Sequence, residues 1–194
     1  MFQDCTSLTQ APALPATTLA EDCYRSMFNN CISLTQAPAL LATTLAERCY
    51  SNMFKSCIAL TRAPSLSATT LATSCYNNMF SDCTSLTQAS TLLATTLAIA
   101  CYRGMFKGCT SIKLSSNKTD EYTQEYRIPS SGTGITATDA LTDMFTSTGG
   151  TFTGTPTINT TYYLSTDNMI VRDTEVATLN GYVGSMIDGK APTA

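Results

Sequence analysis

The chain has 194 residues, of which 43% are hydrophobic and 13% are charged, and its formal net charge is −3. This composition supplies enough apolar surface for a buried core and excludes a wholly disordered protein. It provides no basic surface for nucleic-acid phosphates, so we do not expect nucleic-acid binding. A membrane span needs an apolar run of about 18 residues or more, and no such run is present, so we do not expect membrane insertion. Residues 1–5, MFQDC, lack the basic flank and apolar stretch of a signal peptide.

A repeat of 26 residues occupies residues 1–114, with units that start at Met1, Met27, Met53, Met79 and Met105. A full unit has the sequence MFNNCISLTQAPALLATTLAERCYSN, as in residues 27–52. The columns that are identical in all four full units are mostly small or apolar, whereas the columns that vary are mostly polar. This division predicts that the identical columns are buried and the varying ones are exposed.

Two elements are predicted within each unit. The pairs Leu45-Ala46, Cys49-Tyr50 and Met53-Phe54 recur every four residues, which predicts one apolar face of a short helix. The stretch from Leu34 to Leu40 is short and contains a Pro, which suits a strand of a few residues. The sequence therefore predicts an α/β repeat, a leucine-rich-repeat solenoid with one short parallel strand and one short helix per 26-residue unit.

The repeat also resembles a known family. The string Met-Phe-x-x-Cys-x-Ser-Leu-Thr, followed by Ala-Pro-x-Leu, is similar to the BspA-like (Treponema-type) leucine-rich repeat of bacterial surface proteins. The resemblance covers residues 1 to about 114 and recurs five times, although the period is slightly longer than the usual family unit. It implies a secreted or cell-surface protein that adheres to host or neighbouring cells, and it carries over no catalytic residue.

The composition changes after the repeats. Residues 115–134 are polar and carry a charged patch, so they are predicted to be a linker or loop. Within residues 135–194, the sequence DALTDMF at 139–145 resembles a degenerate unit, and the Thr-rich stretch that follows has high β propensity. We expect residues 135–194 to form this degenerate unit and a β-rich C-terminal cap over the last repeat.

Nine cysteines fall in two columns of the repeat, one that includes Cys31 and one that includes Cys49. The favoured interpretation is that they are buried free thiols that pack as small apolar side chains. Disulfides between equivalent cysteines of adjacent units remain open as an alternative, as does a zinc site, although the spacing provides no Cys-x-x-Cys pair.

The sequence shows no catalytic apparatus. It contains no His, and the carboxylates of the repeats fall in the varying columns, where a solvated surface explains them. We therefore predict a protein that is not an enzyme and that holds no metal and no cofactor.

The polar positions of the predicted strand are the candidate ligand-binding residues. If Leu34 faces the core, the exposed positions that remain form a ladder of hydroxyls and amides on the concave face, which could hydrogen-bond a peptide or a glycan. The ladder consists of Thr9, Gln10, Thr35, Gln36, Thr61, Arg62, Thr87 and Gln88.

Three functions remain open. A recognition or adhesion module for a protein or glycan ligand on host or neighbouring cells is favoured. A structural spacer or fibre segment of a larger surface or phage protein is the alternative, and an enzyme is third. The first unit has no predicted cap in front of it, so the chain is expected either to be a fragment of a longer array or to pair with a second copy at this end. The fragment is favoured, and self-association through the open N-terminal unit is its expected consequence in isolation.

Overall fold

The computed structural model describes residues 2–129 and 139–171, and these residues contain no helix. Six strands are present in them: β1 (Gln88–Ser90), β2 (Lys113–Ser115), β3 (Tyr122–Arg127), β4 (Gly149–Gly150), β5 (Thr161–Ser165) and β6 (Met169–Val171). They form one sheet of four strands and one of two strands. The prediction of a leucine-rich-repeat solenoid with a helix in each unit is therefore wrong.

The predicted helices are replaced by consecutive tight turns. From the end of the second unit into the third, Arg48, Asn52 and Ser56 have left-handed φ angles of 52°, 54° and 61°. An α-helix requires right-handed φ angles throughout, so a left-handed residue at every fourth position prevents one. Between these residues, backbone N–H groups donate to carbonyls three residues back, as from Met53 to Tyr50 at 3.2 Å. The apolar period of four residues is thus the period of a turn rather than of a helix.

Successive units are joined by backbone hydrogen bonds between residues that are 25 positions apart. Tyr50 donates to the carbonyl of Cys75 at 3.0 Å, and Phe54 donates to the carbonyl of Met79 at 2.9 Å. In residues 48–57, alternate N–H groups take part in the turns and the others reach the next unit. Each unit therefore stacks on the unit that follows it, and the backbone of the turns satisfies its hydrogen-bonding requirement between units.

Two ladders of aromatic rings run through the stack. One ladder joins rings at centroid distances of 5.6–5.7 Å, and its members are Phe2, Phe28, Phe54, Phe80, Phe106 and Phe145. The other has centroid distances of 5.7–5.8 Å, and its members are Tyr24, Tyr50, Tyr76 and Tyr102. The rings from Phe28 to Phe145 and from Tyr50 to Tyr102 are at most 1% exposed, which confirms that these identical columns form the core.

The C-terminal residues extend and then close this stack. Tyr102 and Phe106 donate to the carbonyls of Ala140 and Met144, both at 2.9 Å, so residues 139–147 lie on the last repeat. The four-stranded sheet has the order β3-β5-β2-β4, in which β5 is antiparallel to β3 and β2, and β2 is parallel to β4. Strand β3 lies within the segment predicted as a linker, and residues 135–138 and 172–194 of the predicted cap lie outside the described residues.

A short parallel ladder joins the repeats to the C-terminal region. Strand β1, in the fourth unit, pairs in parallel with β6, and Gln88 is opposite Met169. Asn168 secures this junction, because its side chain accepts from the Lys113 N–H at 2.9 Å and donates to the carbonyls of Thr87 and Ser111. In the part of the chain that the structure describes, no segment is a helix that could span a membrane.

Candidate ligand-binding site

The candidate residues lie on the short bridged segments of the four full repeats. Parallel bridges join Gln10 to Gln36, Gln36 to Arg62, and Arg62 to Gln88. Neighbouring positions in such a ladder are about 4.8 Å apart. We call the two adjacent columns the polar row, and its members are Thr9, Gln10, Thr35, Gln36, Thr61, Arg62, Thr87 and Gln88.

Two threonine hydroxyls of the polar row donate hydrogen bonds to backbone carbonyls of the preceding unit. Thr35 donates to the carbonyl of Thr9 from both its N–H and its hydroxyl, at 3.2 Å in each case. Thr87 does the same to the carbonyl of Thr61, at 3.0 and 3.3 Å. These two hydroxyls are therefore fixed in orientation and retain lone pairs that can accept a hydrogen bond from a ligand.

Exposure decreases along the polar row towards the C-terminal region. Thr9, Gln10, Thr35, Gln36 and Thr61 are exposed, whereas the other three members are half-buried. Arg62 and Gln88 also interact with other groups of the chain. The part of the row that is open to a ligand thus lies in the first three units.

This arrangement offers hydrogen-bond donors and acceptors at a regular spacing. Each Gln amide can donate two hydrogen bonds and accept others, and a Thr hydroxyl can do both. The row has one cation, Arg62, and no anion. It can therefore bind neutral polar ligands of extended shape, such as a peptide backbone or a chain of sugar hydroxyls, rather than polyanions.

A second exposed polar surface was missed by sequence reasoning. Each full unit carries two adjacent threonines that are exposed in all four units, as Thr43 and Thr44 are, and a parallel bridge joins Thr44 to Thr70. The sequence signal was the pair Thr-Thr at the same two positions of every unit. We call this surface the Thr-pair face, and its members are Thr17, Thr18, Thr43, Thr44, Thr69, Thr70, Thr95 and Thr96.

The cysteine columns contribute to the core rather than to a reactive site. Seven of the nine are buried, and all nine are free thiols. The thiols of Cys57 and Cys83 donate to the carbonyls of Phe28 and Phe54 at 3.1 and 3.0 Å. Burial raises the pKa of Cys57 to about 12, so the nucleophilic thiolate is scarce at neutral pH.

The prediction of burial fails for two cysteines of the first unit. Cys23 is exposed and Cys5 is half-buried, because no described unit lies in front of them. Neither alternative for the cysteines is present in the described residues: they contain no disulfide and no group of three or more His, Cys, Asp or Glu side chains that could hold a metal ion.

The charged side chains pair across neighbouring units. Arg48 donates to the Asp22 carboxylate at 3.0 and 3.1 Å and also contacts Glu21 and Glu47. The hydrogen bond from Arg48 lowers the pKa of Asp22 below its ordinary value. This carboxylate is therefore ionised near neutral pH and forms an ion pair on the surface.

Comparisons of the chain with protein-family models, with curated proteins and with solved structures found no match.

Proposed function

We propose that this chain is a non-enzymatic bacterial surface module that recognises a protein or glycan through the polar row. The single observation that carries the proposal is the alignment of Gln10, Gln36, Arg62 and Gln88 by consecutive parallel bridges, with its first members exposed. The resemblance to BspA-like surface proteins supports the assignment to the cell surface or the extracellular space.

The rigidity of the stack supports this proposal on energetic grounds. Hydrogen bonds between units hold the backbone of the polar row, and two of its hydroxyls are fixed on backbone carbonyls. A preformed row loses little conformational entropy when a ligand binds, so modest hydrogen bonds of about 1 kcal/mol each can add up along an extended ligand.

Glycan arrays and phage-displayed peptides provide the probes for a first test. We expect the double variant Gln10→Ala/Gln36→Ala to lose about tenfold or more in affinity, because two side chains that each contribute about 1 kcal/mol are removed. The matched control is Thr17→Ala/Thr43→Ala, which truncates two exposed residues of the same units on the Thr-pair face. Equal binding by the chain and the polar-row variant would contradict the proposal.

A structural spacer or fibre segment is the second candidate. The observation that favours it is the repetition of the same hydrogen bonds at each junction between full units, such as Tyr24 to Cys49, Tyr50 to Cys75 and Tyr76 to Cys101, all at 3.0 Å. Such an array changes length by whole units without changing its cross-section.

Deletion of residues 53–78, one unit in register, separates the two functions. A spacer that is shortened by one repeat unit still separates the segments on either side of it. A recognition module loses affinity for a ligand that spans several units, because part of the polar row is removed. Antibody labelling of intact cells of the native organism tests the surface location independently.

A further inference from the structure

The backbone of the polar row is already paired with its neighbours in the stack. Gln36 and Arg62 are each bridged on both sides, and the Thr35 and Thr87 N–H groups donate to carbonyls of the preceding unit. Beyond Gln88, strand β6 occupies the edge of β1. Peptides that bind by strand addition need an exposed sheet edge, and the described residues offer none between Gln36 and β6. A ligand on this part of the row must therefore be recognised by side chains.

The polar row also lacks the anchors on which protein partners depend. Binding energy between proteins is concentrated in a few aromatic or Arg side chains that fill pockets, and polyproline peptides bind grooves lined with aromatic rings. The row contains no aromatic and no large apolar residue. Its one Arg, Arg62, is half-buried and already interacts with other groups of the chain. The row therefore suits a ligand that is held by many similar hydrogen bonds rather than by a few anchors.

The hydrogen bonds that the row can make favour hydroxyl groups. The Thr35 hydroxyl donates to the carbonyl of Thr9 at 3.2 Å, so towards a ligand it presents lone pairs that need a donor. The next residue, Gln36, is exposed, and its amide both donates and accepts. A sugar hydroxyl also does both, whereas a peptide N–H only donates and a peptide carbonyl only accepts. Neighbouring hydroxyls of a sugar ring can thus satisfy both side chains of one unit.

The spacing of the row matches a chain of sugar rings better than an extended peptide. Equivalent positions of neighbouring units are about 4.8 Å apart, whereas an extended peptide presents the same face only every two residues, or about 6.7 Å. Such a peptide moves out of register with the row by about 2 Å per unit. In an extended polysaccharide with β-1,4 linkages, one pyranose ring advances the chain by nearly the distance between two units. Successive rings can therefore meet successive units.

We propose that the ligand of the polar row is a neutral, linear polysaccharide with β-1,4 linkages, which lies along the stack with one ring on each unit. The proposal rests on the function proposed above, because it names the class of ligand for the same site. The row contains no anion to bind a cationic polysaccharide, and its single cation is half-buried, so the matching ligand is neutral.

Titration calorimetry of the full chain with oligosaccharides of two to six rings tests this assignment. The probes are cello-, chito-, manno- and xylo-oligosaccharides, which are all neutral and β-1,4-linked. For at least one series we expect the affinity to rise about fivefold with each ring that reaches a further unit, because each such ring adds about one hydrogen bond of modest net strength. Malto-oligosaccharides contain the glucose of the cello series, but their α-1,4 linkages make the chain curve, so their affinity should not rise with length.

Two single variants locate the binding on the polar row. Gln36→Ala removes an exposed amide and should lower the affinity for the six-ring oligosaccharide about fivefold, because one hydrogen bond is lost. The matched control is Thr43→Ala, which truncates an exposed residue of the same unit on the Thr-pair face and should leave the affinity unchanged. Amide exchange of residues 53–106 shows whether the stack is unaltered in both variants.

The outcomes separate this inference from the function on which it rests. If no oligosaccharide binds but displayed peptides bind and lose affinity for Gln10→Ala/Gln36→Ala, the polysaccharide is overturned and the polar row stands as a protein-binding site. An equal rise in affinity along the malto series, or equal effects of Gln36→Ala and Thr43→Ala, would overturn the match between rings and units. Absence of binding by oligosaccharides and peptides alike would overturn both proposals.

Discussion

The first unit and the second unit have nearly the same sequence but different environments. Phe2 and Phe28 occupy one column, as do Cys23 and Cys49, yet Phe28 and Cys49 are fully buried while Phe2 is half-buried and Cys23 is exposed. The difference arises because a side chain of one unit is covered mainly by the unit before it. Burial in this protein is therefore a property of the position in the stack as much as of the residue.

Alkaline pH should have the largest effect on the free energy of unfolding, and this effect should arise from the buried thiols of the inner units. Burial raises the pKa of Cys49 and Cys57 to about 12 and that of Cys101 to about 11, from an ordinary value of 9.0. These thiols stay protonated in the folded chain while they ionise in the unfolded chain. Their contribution to stability is fully present below pH 9 and is lost as the pH rises towards 12.

The three thiols together should lower the free energy of unfolding by up to roughly 4 kcal/mol per pH unit, with the steepest slope near pH 10. Urea denaturation at a series of pH values measures this slope. Cys49→Ala should make the slope shallower by about 1.4 kcal/mol per pH unit, and Cys23→Ala, in the same column of the first unit, should change it less. A stability that does not vary over this range would contradict the buried state of these thiols.

Truncation of an aromatic ring compares the two environments directly. Phe54 is 0% exposed and stacks on Phe28 and Phe80 at 5.6 and 5.7 Å, so Phe54→Ala should cost about 3–5 kcal/mol through lost contacts and a cavity. Among the described residues Phe2 stacks on the ring of Phe28 alone, and Phe2→Ala should cost about 1–2 kcal/mol. Equal urea midpoints for the two variants would show that the outer and inner units do not differ as described.

Substitution at a left-handed position distinguishes turns from helices. Asn52 has a φ of 54°, which glycine adopts freely and alanine adopts at a cost of about 1–2 kcal/mol. Asn52→Gly should therefore be more stable than Asn52→Ala by about 1 kcal/mol or more. Both variants lose the hydrogen bond from the Asn52 amide to Ser51, so this loss cancels in the comparison.

In a helix the order would be reversed, because glycine is about 1 kcal/mol less favourable than alanine in a helix interior. Thermal unfolding of the two variants decides the order, and greater stability of the alanine variant would argue for the helix.

A substitution in a column that varies between units should have the smallest effect on the free energy of unfolding. Lys55 is half-buried and its column differs between units, so Lys55→Ser should change the free energy of unfolding by no more than about 0.5 kcal/mol. Leu60→Ser, at a position that is 0% exposed, is the reference and should cost about 2–5 kcal/mol. Similar urea midpoints for the two would refute the division into inner and outer columns.

The period of the apolar pairs was visible in the sequence, but its meaning was not. Pairs such as Cys49-Tyr50 and Met53-Phe54 recur at four residues, close enough to the 3.6 residues of a helical turn to favour a helix. A signal against the helix was present in the columns that were interpreted as free to vary. Asp22, Asn52 and Gly104 occupy left-handed positions there, and Asp, Asn and Gly are the residues that tolerate this conformation best.

The candidate site, too, was predictable from the sequence only in part. Each full unit carries a Thr followed by Gln or Arg at the same two positions, and this repetition predicts that Gln10, Gln36, Arg62 and Gln88 lie in one row. In the structure, consecutive parallel bridges join these four residues. The decrease in exposure towards Gln88 could not be predicted, because it depends on the pairing of β1 with β6, about 80 residues further along the chain.

The sequence by itself determined the repeat, its register and the apolar columns that form the core, because exact repetition at 26 residues brings equivalent side chains together once the units stack. It did not determine the burial of the polar columns, because the identical Thr43 and Thr44 are exposed whereas Ser51, in a varying column, is buried. The tertiary structure alone decided the backbone conformation and the way in which the C-terminal region closes the stack. A turn with one left-handed residue can leave alternate N–H groups free to bond to the next unit, whereas a helix uses them internally. The closing of one end by Gly154 and its neighbouring threonines follows from contacts between residues whose local sequence gives no sign of them.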